Sequence, residues 1–296
     1  MNDLDEIMAK VNENTTQSKE TFNKNAWVEQ KQKERSDVYK LIDTSADEIK
    51  NDLNKYLTYL EIQGRFDKYS VGNSLLISSQ MPNATQLKDF NDWKEQGAFI
   101  KKAENGIKIL EPGDPYTRRD GTNATSYNVK KLFDISQTSM SNKVRKNNYD
   151  EKLILTALLK DCPVNIKAVD EIPDSTSSSL WNKDEGILYV KRGEDTSKIF
   201  KELASELVKA SLEETGNSEL DNFKAKSTAY MLCKKYGIDV SDITIDKIPD
   251  SFKEMTSSEV RNELSSMRNS MEDINTRMSS YFETMQKKEK NKDLER

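Results

Sequence analysis

The clearest pattern in the chain is a run of apolar residues within residues 256–290. Their spacing alternates between four and three residues, which is the period of a heptad repeat. Thr256 and Glu259 form a capping-box sequence before the run, and lysines follow it, where the helix dipole favours positive charge. The pattern predicts one long helix. Its apolar seam consists of Val260, Leu264, Met267, Met271, Ile274, Met278, Tyr281 and Met285.

The sequence leaves open what covers this seam. In a parallel dimer, Glu263 of one helix would meet Arg268 of the other, but the next equivalent positions carry no ion pair. The methionines of the seam specify a partner only weakly. A homodimer or a protein partner bound through residues 256–290 is one interpretation. The other is a helix that packs back onto its own domain.

The absence of histidine restricts the chemistry of the chain most severely. With no histidine, Ser-His-Asp triads, Cys-His pairs and His-ligated zinc are excluded. A net charge of −5 argues against a surface that binds nucleic acid on all sides, but it allows a local basic face. The first residues lack a signal-peptide pattern, and no stretch approaches the ~18 apolar residues that span a bilayer. We therefore expect a cytoplasmic protein without membrane contact.

Periodicity and composition predict an α+β protein, with two compact units followed by the long heptad helix. The 296 residues suit about two domains. A helix is predicted from residue 37 onward, with a break near Thr44–Ser45, and further helices at 73–80, 85–96 and 222–236. Gly237 gives the last of these a helix stop. Residues 111–127 look like a loop between strands at 107–110 and 128–135. The predicted divisions are a polar arm with a short helix (1–36), a first unit (37–135), a linker (136–150), a second unit (151–250) and the heptad helix (256–290).

Residues 69–112 resemble the N-terminal domain of ArdC-type antirestriction proteins, which occur on conjugative plasmids, integrative elements and phages. The resemblance follows a fixed order of motif residues, from a Tyr-Ser-x-x-Asn start to a Gly-Ile-x-Ile strand that ends in proline. Ala103 departs from the pattern, because the family usually has glycine there. The matching residues are Tyr69, Ser70, Asn73, Gln80, Pro82, Ala84, Thr85, Phe90, Trp93, Gly97, Lys101, Lys102, Gly106, Ile107, Ile109 and Pro112.

This resemblance implies single-stranded DNA binding and protection of incoming DNA from restriction. Residues 64–131 contain eleven Lys and Arg against eight Asp and Glu, so positive charge is concentrated in this unit. Lysines would contact phosphates and aromatic rings would stack on bases. The competing interpretation makes Trp93 a core residue and Lys101 and Lys102 a solvated strand end. The candidate DNA-binding residues are Tyr69, Asn73, Trp93, Lys101, Lys102, Lys108, Tyr116, Arg118 and Arg119.

The second unit resembles the C-terminal half of the same family and LtrC-like proteins, which implies a zinc-metallopeptidase-like fold. The family's HExxH helix aligns with residues 205–209, and its downstream glutamate falls near Lys226. Of these positions only Glu206 is kept, because Ser205, Lys209 and Lys226 cannot serve as zinc ligands. The resemblance therefore implies a degenerate peptidase, and we expect no metal, no cofactor and no enzymatic activity.

The sequence thus favours a non-enzymatic, single-stranded DNA-binding protein of a mobile element or phage. The alternative is an accessory or counter-defence protein that acts through the pseudo-peptidase unit and the heptad helix. A hydrolase that uses Glu206 with an unrecognised metal site ranks third.

Overall fold

The computed structural model describes residues 24–141, 150–172, 175–212 and 215–294. It is an α+β fold with a long C-terminal helix, as the sequence predicts. The helices are α1 (Lys24–Asn51), α2 (Leu53–Arg65), α3 (Val71–Gln80), α4 (Phe90–Glu95), α5 (Glu151–Leu159), α6 (Thr196–Ser211), α7 (Ser218–Tyr236), α8 (Asp250–Lys253) and α9 (Ser257–Leu294). The strands are β1 (Leu87–Lys88), β2 (Ile107–Thr117), β3 (Asn123–Asp134), β4 (Asn165–Val169), β5 (Ser179–Asn182) and β6 (Ile187–Lys191).

The first sheet is antiparallel, in the order β1-β3-β2. At residues 107–110 and 129–134 of this sheet most side chains are buried or half-buried. Residues 111–128 form a two-stranded ribbon, most of whose side chains are exposed. The sequence analysis was wrong to place a loop at 111–127. Proline, glycine and aspartate are rare in strands, yet here the two strands stay paired up to Thr117 and Asn123, with an irregularity between Pro112 and Pro115.

Helix α3 covers the free edge of this sheet with two side-chain amides. Asn73 exchanges two hydrogen bonds with the backbone of Leu110, each 2.8 Å long. Gln80 does the same with the backbone of Lys108, at 2.9 and 3.0 Å. Because β2 is an edge strand, its outward N–H and C=O groups would otherwise lack partners. The two amides therefore act as a substitute for a neighbouring strand.

The second sheet has the order β4-β6-β5, with β4 parallel and β5 antiparallel to the central strand. Helix α6 packs on it and begins at the N-cap residue Asp195, whose carboxylate accepts from the first-turn amides. Helix α7 ends at Gly237, in the left-handed conformation with φ 73°. This confirms the predicted helix stop.

Helices from both halves of the chain share one hydrophobic core. Tyr56 of α2 stacks on Phe223 of α7 with ring centroids 4.9 Å apart, and Phe252 packs at the edge of both rings. The same core includes residues of α1, α3, α5, α6 and α9. The helices of the two halves thus form one packed body, and residues of both sheets pack against it.

The seam of α9 is covered by the chain itself. Its members from Val260 to Met278 are buried in the shared core, where α9 contacts α1, α3, α5 and α7. The capping box is present, since Thr256 and Glu259 exchange hydrogen bonds. The interpretation of this seam as a dimer contact is therefore corrected for residues 260–278. An apolar helix face can pack on its own domain as well as on a partner, so its spacing alone does not distinguish the two.

Two predicted boundaries differ in the structure. Helix α1 runs without a break across residue 36 and across Thr44–Ser45. Its C-terminal half packs on α3 and α9, and its N-terminal half lies beside β2 and β3, so the whole helix is supported by neighbouring elements. The predicted helix at 85–96 is instead strand β1 followed by α4, whose N-cap is Asp89. Residues 1–23 of the predicted arm and 142–149 of the predicted linker lie outside the described residues.

Candidate nucleic-acid interface

A cleft of about 850 Å³ opens between the first sheet, α1 and the start of α9. Buried apolar side chains reach its lining from four elements, namely Ile42 of α1, Val71 of α3, Ile109 of β2 and Leu132 of β3. The segment 68–73 closes one side, and residues 87–92 close another. Because Arg261, Asn262 and Ser265 belong to α9, the cleft depends on both ends of the chain.

Three tyrosines line the cleft. Tyr39 on α1 is 44% exposed and Tyr127 on β3 is 39% exposed. Tyr69 is half-buried against Phe66, with ring centroids 5.9 Å apart, and burial raises the pKa of its hydroxyl. The exposed rings are of the kind on which single-stranded bases stack.

The charges in the cleft are mixed, and half of its cations are already paired. Lys130 lies 3.0 Å from Glu111 and 3.2 Å from Asp89, and these contacts raise the pKa of Lys130. Arg261 pairs with Asp43. Lys68 and Lys88 also line the cleft, and neither has a carboxylate partner within the described residues. These two lysines are the cations best placed to meet a phosphate.

Of the nine predicted DNA-binding residues, the structure places two in this cleft, Tyr69 and Asn73. Asn73 is buried and its amide is used by the Leu110 backbone, so its role is corrected from a DNA contact to a structural one. Trp93 requires the same correction. Its ring is 1% exposed, its indole N–H donates to the Phe133 carbonyl, and it offers no face to a base.

The other predicted residues lie elsewhere on the first unit. Lys101 and Lys102 are exposed in the turn before β2, and the Lys101 ammonium donates to the Ser136 carbonyl at 2.7 Å. Lys108 lies 3.5 Å from Glu34 of α1. Tyr116, Arg118 and Arg119 occupy the far end of the ribbon. The structure therefore does not gather the predicted residues into one surface.

Sequence reasoning missed several residues of the cleft. The sequence analysis counted Lys68, Lys88 and Lys130 only in the charge balance of the first unit. It placed Tyr127 at the end of the loop predicted at 111–127. Tyr39 and Arg261 come from distant helices, and no local pattern marks them. Only the packing of α1 and α9 beside the sheet brings these residues together.

The four predicted degenerate metal-site positions do lie together. Ser205, Glu206, Lys209 and Lys226 line a second cavity of about 290 Å³ between α6, α7 and the segment at 242–244. Glu206 is buried, and its carboxylate accepts from the Trp181 backbone N–H at 2.9 Å and from the Lys209 ammonium at 2.7 Å. Both of its oxygens are therefore engaged.

This donor set does not fit a metal ion. Within residues 24–141, 150–172, 175–212 and 215–294, no group of three or more His, Cys, Asp or Glu side chains is arranged to hold one. Lys209 occupies the space beside the carboxylate, and an ammonium repels a divalent cation. The interpretation of this unit as a degenerate peptidase stays a prediction.

Comparison with known proteins supports a fold relationship. No family model matches the chain. An uncharacterized protein of Bacillus anthracis is 25% identical over 313 aligned residues, which cover 82% of this chain and 51% of that protein. The chain thus spans about half the length of this relative. The metal-free crystal structure of the ArdC antirestriction protein of plasmid R388 superposes with a TM-score of 0.50, at 13% identity, over 72% of this chain and 86% of that one.

The fold is similar to that of ArdC.

The similarity to ArdC covers more than the first unit, which alone carried the quoted motif. A match over 72% of the chain is longer than residues 37–135 and therefore extends beyond them. The Mn(II)-bound structure of ArdC has a TM-score of 0.49. At 13% identity the likeness to ArdC concerns the fold alone.

One further structural finding concerns membranes. Among the described residues, no helix combines the length and the apolar character that crossing a bilayer requires.

Proposed function

We propose that this chain is a non-enzymatic single-stranded DNA-binding protein that protects DNA of a mobile element or phage from restriction. The proposal rests on the motif resemblance of residues 69–112 and on the similarity of the fold to the ArdC antirestriction protein. The observation that carries it is the cleft with exposed Tyr39 and Tyr127 beside Lys68 and Lys88.

The dimensions and chemistry of the cleft suit a flexible single strand. Its 850 Å³ volume lies at the upper end of the range for small-ligand sites, about 300–1,000 Å³. Tyrosine rings stack on any base without sequence preference. Lys68 and Lys88, which have no carboxylate partner among the described residues, would contact the phosphates of the strand; the Lys88 ammonium also lies over the Trp93 ring, 5.5 Å from its centroid.

The projecting ribbon extends this surface. Tyr127 and Pro112 face each other across the two strands where the cleft ends and the ribbon begins. Tyr116, which is 50% exposed, lies further along, and Arg118 and Arg119 follow at the hairpin end. A strand that leaves the cleft here would continue toward these side chains.

The test is fluorescence anisotropy with a labelled single strand of ~30 nucleotides, which covers several binding footprints, at low and high salt. The cleft variant is Lys68→Glu/Lys88→Glu. The matched variant Lys101→Glu/Lys102→Glu makes the same change of charge outside the cleft. Each phosphate contact contributes a slope of about −0.7 in log K against log[salt].

We expect salt-sensitive binding by the unaltered chain and a clear loss in the cleft variant. Loss only in the Lys101→Glu/Lys102→Glu variant would move the DNA contact to the turn before β2. No binding at low salt by the unaltered chain would overturn the proposal. The alternative role as an accessory protein would then be favoured, although the buried part of the heptad seam could not serve as its contact surface.

A further inference from the structure

The second cavity contains more ammonium groups than carboxylates. Lysines of α6 and α7 line it together with three carboxylates and several hydroxyls. The ammonium groups are those of Lys198, Lys201, Lys209 and Lys226. The carboxylates are those of Glu202, Glu206 and Asp242. Ammonium groups thus outnumber carboxylates by one within the lining, although Lys198 also pairs with Glu194 just outside it, at 2.9 Å.

All three carboxylates already accept hydrogen bonds from the fold. Glu202 accepts from the Ser178 hydroxyl at 2.7 Å and from the Ser178 and Ser179 backbone N–H groups. Asp242 accepts from Lys201 at 2.5 and 2.6 Å. Glu206 is held by the Trp181 backbone and by Lys209. These acids are fixed structural acceptors.

The lysines, in contrast, keep donors to spare. An ammonium has three N–H groups. Lys226 uses one of them on the Thr244 carbonyl, at 3.2 Å, and pairs with no carboxylate among the described residues. Lys209 uses one on Glu206. Donors that face the same cavity from α6 and α7 lack acceptors, and an oxyanion would supply them.

An independent observation is the hydroxyl of Ser179, at the start of β5. Its side chain lines the cavity and is 2% exposed. Its Oγ has no hydrogen-bond partner within the described part of the chain. Buried hydroxyls are normally satisfied, and an unsatisfied one calls for an explanation. A ligand in the cavity would supply the missing acceptor.

We propose that this cavity binds a tetrahedral oxyanion of the phosphate class, either free phosphate or the phosphate group of a monoester. The group would accept from Lys226, Lys209 and the Ser179 hydroxyl. A volume of about 290 Å³ exceeds the ~30 Å³ share of one water several-fold and lies just below the usual range for drug-sized ligands. At two positions that the resemblance aligns with zinc ligands, Lys209 and Lys226, this chain thus carries ammonium groups, which attract an anion.

The experiment measures the thermal unfolding midpoint of the full chain against increasing sodium phosphate, with sodium chloride replacing it at constant ionic strength. A parallel series uses thymidine 5′-monophosphate. A ligand that binds only the folded chain raises the midpoint in a concentration-dependent way. The variants are Lys226→Ala, on the exposed face of α7, and Ser179→Ala. The control Lys152→Ala removes the same charge from the exposed surface of α5.

We expect the midpoint to rise with phosphate, and the apparent affinity to fall about tenfold or more in Lys226→Ala, because a charge-assisted hydrogen bond is lost. Lys152→Ala should respond like the unaltered chain. A rise with phosphate alone identifies free phosphate as the ligand, and a rise with the monoester identifies an esterified group. No rise with either probe overturns the proposal. So does a rise that persists in both Lys226→Ala and Ser179→Ala, or one that is lost in Lys68→Ala/Lys88→Ala, which would place the anion in the DNA cleft.

Discussion

Gly64 of α2 lies directly against the backbone of Met231 in α7. A Cβ atom at Gly64 would lie 2.5 Å from the Met231 carbonyl oxygen and 3.1 Å from its Cα. The two helices lie in different halves of the chain, and both contribute to the shared core. The absence of a side chain at one position thus sets the spacing between the two halves.

The variant Gly64→Ala should destabilise the chain by about 1–3 kcal/mol, the usual cost of overpacking, because the obstructing atoms are backbone and cannot move aside alone. The measurement is urea unfolding followed by circular dichroism. Gly72→Ala is the control, since its Cβ would meet only the Ile42 side chain, at 3.4 Å. If Gly64→Ala unfolds at the same urea concentration as the unaltered chain, the close contact is wrong.

The sheet edge gives a second prediction. Asn73→Ala removes both hydrogen bonds to Leu110 and leaves buried backbone groups unpaired, so we expect a loss of about 1–3 kcal/mol. Amide hydrogen exchange should also accelerate at Leu110. Ser70→Ala, which removes only an N-cap acceptor of the same helix, should leave exchange at Leu110 unchanged. Unaltered stability with weakened DNA binding would instead restore Asn73 as a DNA contact.

The buried seam of α9 gives a third prediction. Met271→Ala should cost about 2–5 kcal/mol through loss of core packing, and the unfolding midpoint should not depend on protein concentration. Met285→Ala, in the half-buried end of the seam, should cost much less. A midpoint that rises with concentration would show that the folded state is an oligomer.

The ion pair between α2 and α7 gives a pH prediction. Burial raises the pKa of Glu61, but the Lys234 ammonium at 2.6 Å and the Tyr230 hydroxyl outweigh it and hold the pKa below its ordinary value. A carboxyl whose pKa is lowered by folding stabilises the fold above its unfolded pKa. That stabilisation is lost as the pH falls through the folded pKa.

The unfolding midpoint should therefore fall on acidification less steeply in Glu61→Gln than in the unaltered chain. Thermal unfolding between about pH 3 and pH 6 covers the window in which carboxyls titrate. The effect is modest, because the Glu61 side chain is 34% exposed. Parallel curves for the two proteins would contradict a stabilising role for this pair.

Ala103 gives a fifth prediction. Its φ of 67° lies in the left-handed region, which costs a residue with a Cβ about 1–2 kcal/mol. Glycine avoids this cost but loses more entropy on folding, by about 0.5–1 kcal/mol. Ala103→Gly should therefore stabilise the chain slightly, by up to about 1 kcal/mol. A destabilised variant would contradict this expectation.

Sequence patterns predicted the features that depend on interactions between residues close together in the chain. The heptad spacing and the capping box located α9, and Gly237 marked the end of α7, because turn-scale hydrogen bonds and backbone conformation decide these features. The ribbon at 111–127 was missed because only cross-strand pairing overrides the loop-like composition. The break expected at Thr44–Ser45 is absent because α1 is supported by the helices packed on it.

The sequence by itself determined the fold class, the long final helix and the exclusion of histidine chemistry, and the resemblance singled out four of the positions that line the second cavity. The tertiary structure alone decided that the apolar seam packs inside its own chain, that Asn73 and Trp93 are structural, and that Tyr39, Lys68, Lys88 and Arg261 share one cleft. The physical reason is the separation along the chain of the residues that interact. Helix caps and periodicity act within a few residues, whereas burial and the meeting of distant side chains depend on how the helices pack together.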